Sequence, residues 1–348
     1  MTHLFRRSMF WTALLAAPLL IGASQTPSAP PDAADPAASD PVDGLVEPGT
    51  ASDVVPFIQP FDLDATRRMS VKVMVGGKGP FAFLVDTGAE RTVIARELAA
   101  RLGLVEGAKL RLATIGGSAT VPSFRVAALQ MSDLLLASVE APAFHGRHIG
   151  AAGLIGVDML EERRVLIDFR KETMQILATR RRAPSLIKDD DAIVVTARNS
   201  AGRLILSDAR LNGKRIDVIV DTGAQTSVGN LALQKLVADR RANRYPFVAT
   251  ELSAVTGEAV PAMRTAIKRI VINGMDVNDL PVSFADSQAF RVLGLSERPA
   301  LLLGMDSLSL FDRVEIDFPN RRVVFDLPDA ANRQTGQRMA FHMTGRGG

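Results

Sequence analysis

Short apolar runs separated by turn residues dominate this chain, and the same succession of patterns occurs twice. In the first half, Phe81-Ala82-Phe83-Leu84-Val85 reads as a buried strand that follows the turn signal Gly76-Gly77-Lys78-Gly79. In the second, Ile216-Asp217-Val218-Ile219-Val220 follows Asn212-Gly213-Lys214. Each run predicts the second strand of a hairpin, and each ends in the same four residues, Asp86-Thr87-Gly88-Ala89 and Asp221-Thr222-Gly223-Ala224. Beyond them, Ile94, Leu98 and Leu102, four apart, predict a short helix, and Leu233, Leu236 and Val237 share one face of its counterpart. Strands around a glycine-bearing turn come next, at Thr114-Ile115-Gly116-Gly117 and at Val255-Thr256-Gly257. Each half closes on an apolar run, Gly, any residue and Asp, at Leu154-Ile155-Gly156-Val157-Asp158 and Leu302-Leu303-Gly304-Met305-Asp306. A β pattern ending in Ile167-Asp168-Phe169 or Ile316-Asp317-Phe318 follows each closure.

Order is conserved between the halves while loop lengths drift, so duplication is the simplest account. It predicts a mostly β protein of two domains, 56–178 and 192–328, joined by a linker at 179–191. That linker holds Arg180-Arg181-Arg182 and Asp189-Asp190-Asp191, charge runs that read as a solvated connection. At 348 residues and 47% hydrophobic, the chain can bury two ordinary cores. Residues 24–55 are rich in Pro, Ala, Ser and Asp and too polar for a core, which suggests a tether or a propeptide. Residues 329–348 are a tail.

The first 23 residues pair Arg6-Arg7 with an apolar run from Met9 to Gly22 and small residues at Gly22, Ala23 and Ser24. That layout predicts a secretory signal and an extracytoplasmic destination, the periplasm. An uncleaved inner-membrane anchor is the other reading of the segment. The signal carries two of the 41 basic side chains and none of the 38 acidic ones, so the remainder is close to neutral. With aromatics at 5% and no basic run longer than three residues, nucleic-acid binding is not expected. The chain has no cysteine, which excludes disulfides and thiolate metal sites.

Asp-Thr-Gly-Ala after an apolar strand, then a glycine-bearing hairpin, then apolar-apolar-Gly resembles the retropepsin-like aspartic protease family, and does so twice in one chain. The resemblance covers about residues 56–177 and 192–327. It implies two acid-protease β-barrel lobes, each with a short helix, related by a pseudo-twofold axis and contributing one aspartate each. Asp86 and Asp221 would then be catalytic, in a single chain that requires no homodimer, acting on polypeptide, with exported or membrane protein segments as the expected substrate. The chemistry fits the residue type: hydrolysis of an amide by water needs a base and an acid, and two adjacent carboxyl groups that cannot both ionise supply both.

The resemblance also implies that Thr87 and Thr222 hydrogen-bond between lobes, and that Gly88 and Gly223 leave room for close approach. Ile115, Gly116 and Gly117, with Val255, Thr256 and Gly257, would form flaps over the substrate. Ala89 and Ala224 cannot donate to the carboxylates as a hydroxyl would, so activity should extend toward weakly acidic pH. Val157 and Met305 stand where retroviral members often carry Arg, which leaves Glu90 and Gln225 without that partner. A non-catalytic peptide-binding module of the same fold is the alternative function.

Other candidates read as structural. His145 and His148 have no third ligand in sequence reach and suggest a surface loop, so no metal and no cofactor are expected. Asp158, Asp306, Asp168 and Asp317 recur for reasons of fold. Ser200 and Ser227 lack the His and Asp setting of a serine nucleophile.

Overall fold

The computed structural model describes residues 58–60, 62–63, 68–131, 134–189, 192–200, 202–239 and 245–328. The segments expected to be a signal (1–23), a tether or propeptide (24–55) and a tail (329–348) lie outside the described residues.

Twelve strands form two closed six-stranded barrels. The first comprises β1 (Met69–Val75), β2 (Lys78–Val85), β3 (Val93–Ala95), β4 (Ser123–Met131), β5 (Leu134–Phe144) and β6 (Gly153–Ile155). Its order is β1-β2-β6-β3-β5-β4, and pairing of Met74 with Gln130 joins β4 back to β1. The second comprises β7 (Arg203–Leu211), β8 (Lys214–Val220), β9 (Val228–Gly229), β10 (Ala259–Ile272), β11 (Met275–Phe284) and β12 (Ala300–Leu303). It repeats the order as β7-β8-β12-β9-β11-β10, closed by Ala209 opposite Ile272. A barrel leaves no unpaired edge, so each lobe is a finished unit.

The local reasons are visible in the turns. Gly76 and Gly77, and Asn212 and Gly213, all have positive φ, between 49° and 77°. That is the backbone that lets a two-residue loop follow the twist of its strands. On β8, Ile216, Val218 and Val220 are buried, and so are Asp217 and Ile219, the mark of a strand covered on both faces. The predicted helices run from Arg96 to Leu102 and from Leu231 to Val237, with Leu98, Leu233 and Val237 buried.

The lobes meet through a six-stranded layer ordered 58–60, 173–178, 163–168, 313–317, 322–326 and 193–200. At its centre Arg163–Asp168 pairs antiparallel with Arg313–Asp317, placing Arg164 opposite Asp317 and Leu166 opposite Glu315. One apolar cluster extends from Met69 to Phe325 through both lobes.

Charged groups are buried in this layer. Arg164 is 4% exposed, and Glu315 and Asp317 are 0%. Arg164 donates to Asp317 through Nε at 3.0 Å and Nη2 at 2.7 Å, and Arg322 reaches both carboxylates. Such charges persist in a dry interior only when paired on all sides, and the segment joining the lobes supplies the rest. Leu186 N–H and the Ser185 hydroxyl donate to Glu315, while Arg164 Nη1 donates to the Pro184 carbonyl. The charge runs of the connecting segment are exposed where described, but the segment does not run free between them. Arg180, Arg181 and Arg182 do point to water, but the backbone between them and Ile187 is fastened onto the central layer.

Candidate active site

Each Asp-Thr-Gly-Ala loop leaves the end of a buried strand, β2 or β8, and is held from behind by the closing glycine motif of its own lobe. Asp86 N–H donates to the Ile155 carbonyl, and Val157 N–H to the Ala89 carbonyl. Asp221 and Met305 repeat this with Leu303 and Ala224. Asp158 accepts from the Thr92 N–H and hydroxyl, Asp306 from those of Ser227, and both hydroxyls accept from the closing glycine N–H at 3.0 Å. Ser227 is thus a brace, and Asp158 and Asp306 anchor the loops without touching the cleft centre.

The two loops interlock. Thr87 N–H donates to the Thr222 hydroxyl at 3.1 Å and Thr222 N–H to the Thr87 hydroxyl at 3.2 Å. Each hydroxyl donates in turn to a strand carbonyl of the opposite lobe, Val220 or Val85, at 2.9 and 2.8 Å. Both threonines are almost fully buried, at 2% and 1% exposure. With four mutual bonds the loops cannot slide apart without stranding polar groups.

This lock brings the carboxyls together. A Cβ on Gly88 would lie 2.5 Å from the Asp221 carboxyl carbon, and one on Gly223 would overlap the Asp86 carboxyl. Only glycine permits such an approach. Oδ1 of Asp86 accepts from the N–H groups of Gly88 and Ala89 at 2.8 and 2.9 Å, and Oδ1 of Asp221 from Gly223 and Ala224, both at 3.0 Å. Burial nevertheless raises both pKa values, and the charge of Asp86 adds to the effect at Asp221, which is pushed up to about 7. The two carboxyls therefore titrate as a pair and not as separate groups.

Around it lies a cleft of about 270 Å³. Val93, Leu112, Phe144 and Leu154 line it from one lobe and Val228, Val292 and Leu302 from the other. Two hairpins roof it. The first pairs Leu110–Thr114 with Gly117–Val121, with Ile115 and Gly116 at its tip, and Thr114 Oγ1 donates to the Gly117 carbonyl. Gly116 lies against Glu258, Val260 and Ala254 of the second hairpin, and Ile115 packs on the apolar cluster around Ala254 and Val260. The second hairpin joins Val248–Ser253 to the first half of β10. Its Val255 lines the cleft, Thr256 is half-buried with no partner for its hydroxyl among the described residues, and Gly257, at φ +89°, presses on the ring of His148.

Where a surface loop was expected, His145 caps a short helix, Gly146–Ile149, that receives this hairpin tip. His145 Nδ1 is 3.1 Å from Glu97, and Arg147 Nε donates to His148 at 3.0 Å. Among the described residues no group of three or more His, Cys, Asp or Glu side chains is arranged to hold a metal ion.

Sequence reasoning missed Arg203. It opens β7, and its Nε crosses to the other lobe to donate to the Gly88 carbonyl at 2.5 Å. Its charge lowers the pKa of both aspartates against the effect of burial. No motif marks it, because an arginine at the start of a strand is unremarkable until the facing lobe is in place.

An internal twofold that brings one aspartate loop from each barrel to a common floor is the construction of the aspartyl-protease class, to which this fold and site conform. Comparison with family models agrees. The chain belongs to the family described as "gag-polyprotein putative aspartyl protease", which matches it over residues 71–162 and again over 207–310. Each match spans one barrel and its loop. No curated protein sequence matches the chain.

Proposed function

We propose that this protein is an exported aspartic endopeptidase that hydrolyses peptide bonds with water activated between Asp86 and Asp221. The observation that carries the reading is the half-buried carboxyl pair, drawn together by the two glycine-bearing loops at the floor of a cleft under two hairpins.

The ionised carboxylate takes a proton from water as the water oxygen attacks the scissile carbonyl carbon. The protonated carboxyl gives its proton to the carbonyl oxygen, yielding a tetrahedral diol and leaving the pair with one proton again. Collapse of the diol breaks the C–N bond as the ionised carboxylate takes one hydroxyl proton and the protonated carboxyl gives its own proton to the leaving nitrogen, so the pair again holds one proton. Thr87 and Thr222 keep the carboxyls fixed throughout, so little reorganisation is required as charge moves. An extended peptide between floor and hairpins would bond through its backbone and place apolar side chains on Phe144, Leu154, Val228 and Leu302. The hairpins would exclude bulk water.

Export rests on the N-terminal pattern of Arg6-Arg7 and the apolar run that follows. In the same reading, residues 24–55 tether the enzyme or block the cleft until removed. Incubating the purified chain lacking residues 1–23 with an unfolded protein, beside Asp86→Asn and Asp221→Asn, tests the central claim. Cleavage abolished in both variants is the expected result. A wild-type chain as inert as its variants, while still binding peptide, would mean a binding module instead.

A further inference from the structure

The cleft holds a cation that neither gives nor takes a proton in the hydrolytic step. Of the charged side chains lining it, Asp86 and Asp221 form the pair, Glu90 and Arg91 are exposed at the rim, and Arg203 is half-buried. Arg203 spends only Nε on the protein, at the Gly88 carbonyl. Among the described residues, neither of its Nη groups has a hydrogen-bond partner, and no carboxylate forms a salt bridge with it. Its base is rigid: Gly202 before it packs against Val157 of the opposite lobe, where an added Cβ would lie 2.8 Å from Cγ1. The Oδ1 atoms of both aspartates are already engaged by loop N–H groups. A guanidinium so fixed, lining the cleft with both Nη groups uncommitted, matches the planar, bidentate geometry of a carboxylate. Surrounding apolar walls strengthen such a pair relative to one in water.

We propose that Arg203 is a specificity-determining residue that binds a carboxylate of the substrate in a subsite beside the Asp86 loop. The substrate class becomes polypeptides with apolar residues at the cut and an acidic group a short distance along the chain. The inference rests on the proteolytic reading of this cleft. The carboxylate has two sources, an Asp or Glu side chain or the free end of a peptide.

The test uses C-terminally amidated peptides with apolar residues flanking the cut and one Glu stepped through the neighbouring positions, each matched by a Gln peptide. A parallel series carries a free C-terminus and no Glu. The readout is the ratio of kcat/KM for Glu over Gln, or for free over amidated ends. The wild type should favour the carboxylate by about tenfold to hundredfold at one position, Arg203→Gln should bring that ratio to about one, and Arg203→Lys should retain part of it. A preference confined to the free-end series assigns the carboxylate to the chain terminus. Ratios near one at every position in the wild type, or ratios that Arg203→Gln leaves unchanged, overturn the proposal. Peptide affinity for Asp221→Asn, measured by fluorescence anisotropy for the same pairs, reads the carboxylate preference without turnover. A protein that proves not to be a protease is thereby distinguished from one that does not recognise carboxylates.

Discussion

Each aspartate devotes one oxygen to two backbone N–H groups, which favour its charged form, yet burial prevails and the second ionisation is deferred to about pH 7. Two expectations follow at the scale of single residues. The rate should hold through weakly acidic pH and fall as pH rises past about 7, when the shared proton is lost; a pH–rate profile that peaks only below about pH 3 would refute this. Stability should carry the same signature. From the ordinary value of 3.8 up to about 7, the native state holds a proton that the unfolded chain has released, so stability declines across that window and the full penalty remains above it. Asp221→Asn, which keeps a neutral donor facing Asp86, should therefore raise the unfolding free energy at pH 8 by about 1–3 kcal/mol and lose that advantage toward pH 4. Urea titrations at the two pH values check it. Thr87→Val should cost about 2–4 kcal/mol, because it strands the Val220 carbonyl and the Thr222 N–H. At this scale the motif residues were legible in the sequence because they occur twice in matched contexts, whereas Arg203 was not, since its meaning comes from the carbonyl it reaches in the other lobe.

Among elements, the barrel strands and the turns before each aspartate follow directly from local periodicity and glycine placement. What the pattern could not convey is where the hairpins over the cleft come to rest. Each leans on the far lobe: the first runs beside the helix Gln288–Val292, and the second sets Gly257 on His148. These contacts join segments remote in sequence and depend on surfaces that exist only after both barrels close. Gly257→Val would force a side chain into the imidazole at a backbone angle that β-branched residues avoid. The second hairpin should then fail to seat, with kcat/KM falling by about tenfold or more and KM rising, while the melting temperature changes little. Initial-rate kinetics beside a thermal melt separate this outcome from general unfolding.

For the whole molecule, the central layer matters more than the connecting segment that sequence made conspicuous. The Ile-Asp-Phe repeats were legible as strands, but not as partners, because Arg164 and Asp317 stand 153 residues apart. Removing the cation alone, as in Arg164→Met, leaves Glu315 and Asp317 buried with too little compensation and should cost about 3–5 kcal/mol, measurable by denaturant titration. The middle of this layer has a further consequence. Leu166 faces Glu315, so the two positions that a true twofold would make alike are occupied by different chemistry. Expressed by themselves, amino-terminal halves could mate with one another, leucine upon leucine. Carboxy-terminal halves attempting the same union would press two sequestered glutamates together, and so should stay solitary until offered the complementary half.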